Sequence, residues 1–131
     1  MNIPVLINPR CEHLRRAEET ITAVNREQKF FRLSLVPVRW LPDDENEEKE
    51  VTAEHIRVLV EKNFQKIPED KPAIAVIQNP FDDNSFSQDY CYLSIITIAG
   101  WESSFAPPPV RIYLAHQFAG ALLNFASSTP L

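Results

Sequence analysis

The segment that most constrains this fold is residues 73–78, which read AIAVIQ. A half-buried strand alternates apolar and polar side chains, whereas a short uninterrupted apolar run is typical of a strand that is covered on both faces. Pro72 and Pro80 bound the run, and proline is unfavourable inside either a helix or a central strand. The sequence therefore predicts a buried strand of a layered domain at these residues.

Strand and helix patterns alternate along the rest of the chain. Runs of apolar and β-branched residues indicate strands, and apolar residues three and four positions apart indicate helices. The predicted strands are residues 3–7, 33–40, 73–78 and 90–98, and the predicted helices are residues 9–26, 53–64 and 110–126. The order βαβ-αβ-β-α predicts an α/β fold: a single layered domain over residues 1–131, with about four strands and three helices.

Three local signals refine these elements. Asn8 and Pro9 resemble a helix start, with Asn8 as the N-cap and Pro9 in the first helical position. Thr52 is placed to cap the second helix. Pro37 removes a main-chain donor from the second strand, so that strand is expected at an edge of the sheet or at a bulge.

The composition excludes several classes of function. Of the 131 residues, 44% are hydrophobic and 24% are charged, as in an ordinary globular domain. The net charge of −5 disfavours nucleic acid and anionic membranes as partners. The only glycines are Gly100 and Gly120, too few for a glycine-rich phosphate-binding loop. We predict no cofactor.

Cysteine usage and apolar run lengths indicate the compartment. Cys11 and Cys91 are far apart, which does not suggest a disulfide framework. Residues 1–4 lack the basic stretch and apolar core of a signal peptide. No apolar run reaches the roughly 18 residues that a membrane span needs. We therefore expect a cytoplasmic protein.

The predicted last helix carries its uncharged polar residues on a single stripe. At about 100° per residue, His116, Gln117, Gly120 and Asn124 all fall within about 60° of Tyr113. Nearly every other position in this helix is apolar, whereas a solvated helix face usually carries Lys and Glu. The stripe is therefore expected either to line a cleft against the preceding strand or to form a helix-packing surface.

The cleft interpretation defines a set of candidate ligand-binding residues. They are Tyr113, His116, Gln117, Asn124, Trp101 and Phe105. Trp101 and Phe105 precede the helix and would supply an apolar wall. Gly120 costs about 1 kcal/mol relative to alanine inside a helix. It is therefore expected to mark either the close approach of another backbone or space for a ligand.

The run YLAHQFAGALLNF resembles the active-site helix of the zincin metallopeptidases. Zincins have His, Glu and His at the positions where this chain has His116, Gln117 and Gly120. The resemblance implies a zincin-like fold, in which the strand at residues 90–98 would lie over substrate. Because Gln117 cannot act as a general base and Gly120 cannot bind a metal, we expect an inactive, metallopeptidase-like helix without zinc.

A second resemblance concerns the strings FSQDYCYLSIITIAGW and PPPVRIYLAHQFAGALL. They are similar to stretches of uncharacterised bacterial domains that are attached to larger proteins. The resemblance implies that residues 1–131 are a module of a longer protein, and it implies no activity.

Three further groups of side chains have two interpretations each. Residues 82–85, Asp-Asp-Asn-Ser, offer oxygen ligands for a hard cation or form an exposed turn. Cys11 and His13 could serve as nucleophile and base, or Cys11 is structural. The acidic run at residues 43–50 is an exposed loop that either steers a basic partner or keeps the protein soluble.

The function that the sequence favours is a non-catalytic binding or protein-interaction module for an unknown protein or small ligand. The alternative is a diverged zincin-like or cysteine-dependent hydrolase. An enzyme needs a charged or strongly perturbed group in its cleft, and a binding module does not.

Overall fold

A computed structural model describes residues 1–42, 50–64, 71–83, 85–90, 92–99 and 109–128 of the chain. Five strands and three helices lie within these residues. The strands are β1 (Asn2–Ile7), β2 (Arg32–Pro37), β3 (Ala73–Ile77), β4 (Ser87–Tyr90) and β5 (Leu93–Thr97). The helices are α1 (Leu14–Glu27), α2 (Ala53–Asn63) and α3 (Val110–Ser128).

The five strands form one mixed sheet in the order β2-β1-β3-β5-β4. Strands β2, β1, β3 and β5 are parallel, and β4 runs antiparallel to β5 at one edge. Connections between parallel strands need a long crossover, which explains why α1 lies between β1 and β2 in the chain and α2 lies between β2 and β3. The predicted α/β class is confirmed.

The strand count differs from the prediction because the predicted strand at residues 90–98 corresponds to β5 alone, and a further strand, β4, ends at its first residue. Tyr90 ends β4 and pairs with Leu93, where β5 begins. The chain reverses between these residues, and β5 then pairs with β3 as well as with β4. The prediction of one continuous strand is wrong because a high density of β-branched residues indicates a strand without marking the turn that precedes it.

Strand β3 has a hydrophobic core on each of its faces, as its uninterrupted apolar sequence predicts. Ile74 and Val76 belong to the core that includes residues of α1 and α3. Ala75 and Ile77 belong to the core that includes residues of α2. All five residues of β3 are buried. Helices α1 and α3 therefore cover one face of the sheet, and α2 covers the other.

Two of the local signals are confirmed. Strand β2, which ends at Pro37, lies at the edge of the sheet opposite β4, as the missing main-chain donor predicts. The hydroxyl of Thr52 accepts a hydrogen bond from the main-chain nitrogen of His55 at 3.1 Å and so caps α2.

The predicted start of α1 is wrong. The helix begins at Leu14, and Asn8 forms a turn instead of a cap. The side-chain oxygen of Asn8 accepts a hydrogen bond from the main-chain nitrogen of Arg10 at 2.9 Å, and its amide donates to the carbonyl of Leu41 at 2.8 Å. The side chain of Asn8 thus joins the end of β1 to the segment after β2, so this contact distant in sequence decides its conformation.

Candidate functional site

Helix α3 attaches to the sheet through one apolar side. Leu114, Phe118 and Phe125 are each at most 1% exposed and lie in the core that α3 shares with α1. They are four and seven positions apart, so they project from the same side of the helix. The predicted polar stripe lies next to this buried side, and its members differ in their surroundings.

Tyr113 is directed into the protein. It is 8% exposed, and its hydroxyl donates a hydrogen bond to the main-chain oxygen of Thr97 at 2.5 Å. Its ring contacts the ring of Phe86 edge-to-face, with 5.9 Å between centroids. Burial raises the pKa of Tyr113 above its ordinary value, because the phenolate would lose its hydration. Tyr113 therefore fixes the first turn of α3 to the end of β5.

Asn124 makes the corresponding contact near the other end of the helix. Its amide nitrogen donates a hydrogen bond to the main-chain oxygen of Tyr90 at 2.9 Å, and the residue is half-buried. Asn124 and Tyr113 are eleven positions apart, about 16 Å along a helix axis. Together they hold α3 against both strands of the β4–β5 hairpin.

The remaining members of the stripe are more accessible. His116 and Gly120 are exposed, and Gln117 is half-buried. A Cβ atom added to Gly120 would meet nothing within 4 Å, so no neighbouring backbone in the described chain explains this glycine. Trp101 and Phe105, the predicted apolar wall, lie outside the described residues. The structure therefore splits the stripe, with Tyr113 and Asn124 on the strands and His116 and Gly120 facing outward.

A zinc site requires three or four ligand side chains that converge on one ion. Within the described part of the chain, no group of three or more His, Cys, Asp or Glu residues could hold a metal ion. His116 is exposed at its position on α3, and Gln117 and Gly120 supply neither a base nor a second ligand. The resemblance to zincins stays a prediction from the sequence of this helix.

Apart from Arg111 in its first turn, the exposed part of α3 carries no charge. We call this surface the outer face; its residues are Ile112, His116, Ala119, Gly120, Leu123, Ala126 and Ser127, all exposed. Ile112 is 53% exposed and Leu123 is 70% exposed. The chain has no charged residue anywhere in residues 112–131. A solvated helix face normally carries charged side chains, so the outer face is unusual.

Sequence reasoning missed the outer face because it treated the apolar residues of α3 as one group. A helical projection at about 100° per residue places Ile112 and Leu123 about 20° apart. The same projection puts both more than about 100° from Leu114 and Phe118. This angular separation was the available signal that α3 has two apolar sides.

A polar network holds the β4–β5 hairpin from the α2 side of the sheet. The guanidinium of Arg57 lies over the ring of Tyr90, 5.6 Å from its centroid. Arg57 also donates hydrogen bonds to Glu54 and, at 2.8 Å, to Glu61. The hydrogen bonds from Arg57 hold the pKa of Glu54 below its ordinary value. Tyr90 is thus held by α3 through its main chain and by α2 through its ring.

The possible nucleophile and base lie in the turn between β1 and α1. Cys11 is 6% exposed, and its main-chain nitrogen donates to the carbonyl of Asn8 at 3.0 Å. The Nε2 atom of His13 lies 3.2 Å from a carboxylate oxygen of Glu12. Reactive thiolates are at least partly exposed, so the burial of Cys11 favours its structural interpretation.

The acidic turn after β3 uses its carboxylate within the turn. One oxygen of Asp83 accepts hydrogen bonds from the main-chain nitrogen and hydroxyl of Ser85, at 3.0 and 2.6 Å. The other oxygen accepts from the amide of Gln88 at 2.7 Å. These donors lower the pKa of Asp83, since they stabilise its charged form. The arrangement favours an exposed turn, although Asn84 lies outside the described residues.

The predicted acidic run at residues 43–50 lies outside the described residues except for Glu50, which is exposed.

Comparisons with known protein families, curated proteins and solved structures found no match to this chain. No helix in the described residues is both long enough and apolar enough to cross a bilayer.

Proposed function

We propose that this domain is a non-catalytic protein-interaction module that binds its partner through the outer face of α3. The observation that carries the proposal is the exposure of Ile112 and Leu123 on a helix side without a single charge. Single exposed apolar residues are common, but an exposed helix side that carries no charge from Ile112 to Ser127 is typical of a contact surface.

The shape of the outer face supports a helix or another flat element as the contacting structure. Ala119, Gly120 and Ala126 are small, and the space above Gly120 is open. Small residues allow a partner backbone to come close, while Ile112 and Leu123 supply the apolar area that leaves water. Burial of these two side chains is the main favourable contribution that we expect from binding.

The attachment of α3 supports recognition without rearrangement. Tyr113 and Asn124 fix the helix to the β4–β5 hairpin, and Leu114, Phe118 and Phe125 anchor it in the core. A surface carried by such a helix is already in its binding geometry, so ordering it costs little free energy on association. The burial of Cys11 favours this function over the cysteine-dependent hydrolase, because a reactive thiolate is at least partly exposed.

Site-specific photocrosslinking tests the proposal. A benzoylphenylalanine replaces Leu123 in one variant, and in the control it replaces Val58, an α2 residue that is 46% exposed. Both variants are produced in the cells that normally make the protein, irradiated, and analysed by mass spectrometry. We expect protein adducts at position 123 that are absent at position 58. The absence of any adduct specific to position 123 would contradict the proposal.

A further inference from the structure

We infer that Asn25 and Gln28, at the end of α1, close the outer edge of β2 against the addition of another strand. The inference concerns an edge of the sheet that the proposed function does not use. It follows from the main-chain groups of β2 that face outward, from the two side-chain amides that bond this part of the chain, and from the residues that complete the edge.

The hydrogen bonds between β1 and β2 determine which residues of β2 face outward. The main-chain nitrogen of Arg32 donates to the carbonyl of Met1 at 2.8 Å, and that of Val38 donates to the carbonyl of Ile7 at 2.8 Å. In a regular parallel pair, every second residue bonds the same neighbour, and the register here is regular throughout. The odd-numbered residues of this segment therefore present their N–H and C=O groups to the outer edge.

Asn25 bonds both main-chain groups of Leu33. Its amide nitrogen donates to the carbonyl of Leu33 at 2.9 Å, and its side-chain oxygen accepts from the main-chain nitrogen of Leu33 at 2.8 Å. A side-chain amide offers donors on one side and an acceptor on the other, as a strand does at each residue that it pairs. Asn25 therefore occupies the positions that a neighbouring strand would use to bond Leu33.

Gln28 makes the same two-point contact with Phe31. Its side-chain oxygen accepts from the main-chain nitrogen of Phe31 at 2.7 Å, and its amide nitrogen donates to the carbonyl of Phe31 at 2.5 Å. Gln28 is the C-cap residue of α1, and Phe31 immediately precedes β2. Two successive outward residues, Phe31 and Leu33, are thus each paired with a side-chain amide.

The rest of this edge is protected by the types of residue it contains. Pro37, the last residue of β2, has no N–H to donate. Arg32 is exposed and adds a charge to the strand, which disfavours edge pairing. Leu35 lies between the residue that Asn25 bonds and the proline, and a single residue is a poor template, because strands are usually at least about three residues long.

Loss of the amide at position 25 would extend the open part of the edge to Leu33 and Leu35. An open edge strand is a template for pairing with another chain. In a solution of the pure protein, the strand available for that pairing is the β2 edge of a second copy. The contact between Asn25 and Leu33 therefore acts as a guard that keeps two copies from joining through β2.

The variant Asn25→Ala tests this guard. In dilute solution, NMR hydrogen exchange should show the main-chain N–H of Leu33 exchanging about 10-fold faster than in the natural chain, the equivalent of 1.4 kcal/mol. Sedimentation velocity over a concentration series should show more association than the natural chain shows. In the concentrated sample the N–H of Leu33 should regain protection, since a second copy then bonds it.

Two further variants separate edge pairing from a general loss of stability. Tyr113→Phe also removes a hydrogen bond between a helix and the sheet, but it does so at Thr97 of β5, so it should associate no more than the natural chain. Ser34 is an exposed residue of β2. Asn25→Ala combined with Ser34→Lys should return to the behaviour of the natural chain, because the added lysines of two paired copies repel each other.

An unchanged exchange rate at Leu33, or an Asn25→Ala variant that associates no more than the natural chain, would overturn the inference. Equal association by Tyr113→Phe would also overturn it, since lower stability would then be the cause, as would a double variant that Ser34→Lys does not return to the natural behaviour. Asn25→Asp keeps the size of the side chain and an acceptor oxygen, and it takes the place of Asn25→Ala under the same criteria if the alanine variant does not fold.

Discussion

The side-chain amide of Asn124 lies 2.9 Å from the main-chain oxygen of Tyr90 and joins two elements that are 34 residues apart in the chain. This hydrogen bond ties the C-terminal half of α3 to the end of β4, and the ring of the same tyrosine lies beneath Arg57 of α2. One residue of the edge strand thus connects the helices on the two faces of the sheet.

Removal of the Asn124 amide should loosen this connection. Asn124→Ala should be about 1 kcal/mol less stable than Asn63→Ala, because only the former loses a half-buried hydrogen bond between elements. The matched control removes an exposed amide at the end of α2, so both variants make the same change of residue inside a helix. Urea unfolding measures the two free energies. Equal stabilities would contradict a role for Asn124 in holding the hairpin.

Gly120 offers a test of how open the outer face is. Gly120→Ala should raise the free energy of unfolding by about 1 kcal/mol, since alanine is the better helix former. The added methyl group meets nothing within 4 Å in the chain itself. Thermal unfolding provides the measurement. A loss of stability would mean that the outer face is packed within the monomer.

The buried phenol of Tyr113 predicts that the free energy of unfolding falls at alkaline pH. Burial raises its pKa in the folded protein above the ordinary value of about 10. Its contribution is therefore complete below pH 10 or so and is lost as the pH rises towards the folded pKa, because the unfolded chain releases the proton first. Tyr113→Phe should flatten the fall in stability above that pH, and at neutral pH it should cost about 1 kcal/mol for the lost hydrogen bond to Thr97.

The measurement for Tyr113 is the free energy of unfolding from neutral pH to about pH 11. Tyr92→Phe removes a half-buried tyrosine elsewhere and serves as the control. Identical pH profiles for Tyr113→Phe and the natural chain would show that Tyr113 is not the source of the alkaline effect.

The hydrogen bonds of Arg57 predict that the pKa of Glu54 depends on this arginine. Hydrogen bonds and charge from Arg57 lower the pKa of Glu54, so the stabilisation it gives is present above the ordinary pKa and is lost as pH falls through the folded value. Arg57→Ala should raise the pKa of Glu54 in an NMR titration of side-chain carboxyl carbons. Arg16→Ala, which removes a partner of Glu19 on α1, should leave Glu54 unchanged. A pKa of Glu54 that does not respond to Arg57→Ala would exclude this pairing in solution.

The elements that the sequence predicted well are those whose apolar pattern has one interpretation. The run AIAVI has no polar residue that could face water, and it forms β3 with a core on both faces. Thr52 caps α2 through a contact three residues away, within reach of local reasoning. Asn8 was misassigned because its partner, the carbonyl of Leu41, is 33 residues distant.

The candidate site was harder to predict because α3 is apolar on two sides. Periodicity identifies a helix by the contrast between its faces, and that contrast is weak where Ile112 and Leu123 lie opposite Leu114 and Phe118. The sequence identifies Tyr113 and Asn124 as polar residues beside the buried side of α3, and their role as ligand-binding residues stays a prediction. The sequence does not specify that they would bond main-chain oxygens of the hairpin, since that depends on where the chain reverses after Tyr90.

The order of the strands in the sheet also determines when each strand can find its neighbour during translation. β1 lies between β2 and β3, but the residues of β3 are translated about 40 positions after those of β2. At about 5–20 residues per second, a ribosome needs several seconds to cover that interval. During this time the nascent β1, with Val5, Leu6 and Ile7 destined for the interior, has one hydrogen-bonding edge without its final neighbour. A chaperone that acts on this chain would therefore be most useful before residue 77 has left the exit tunnel.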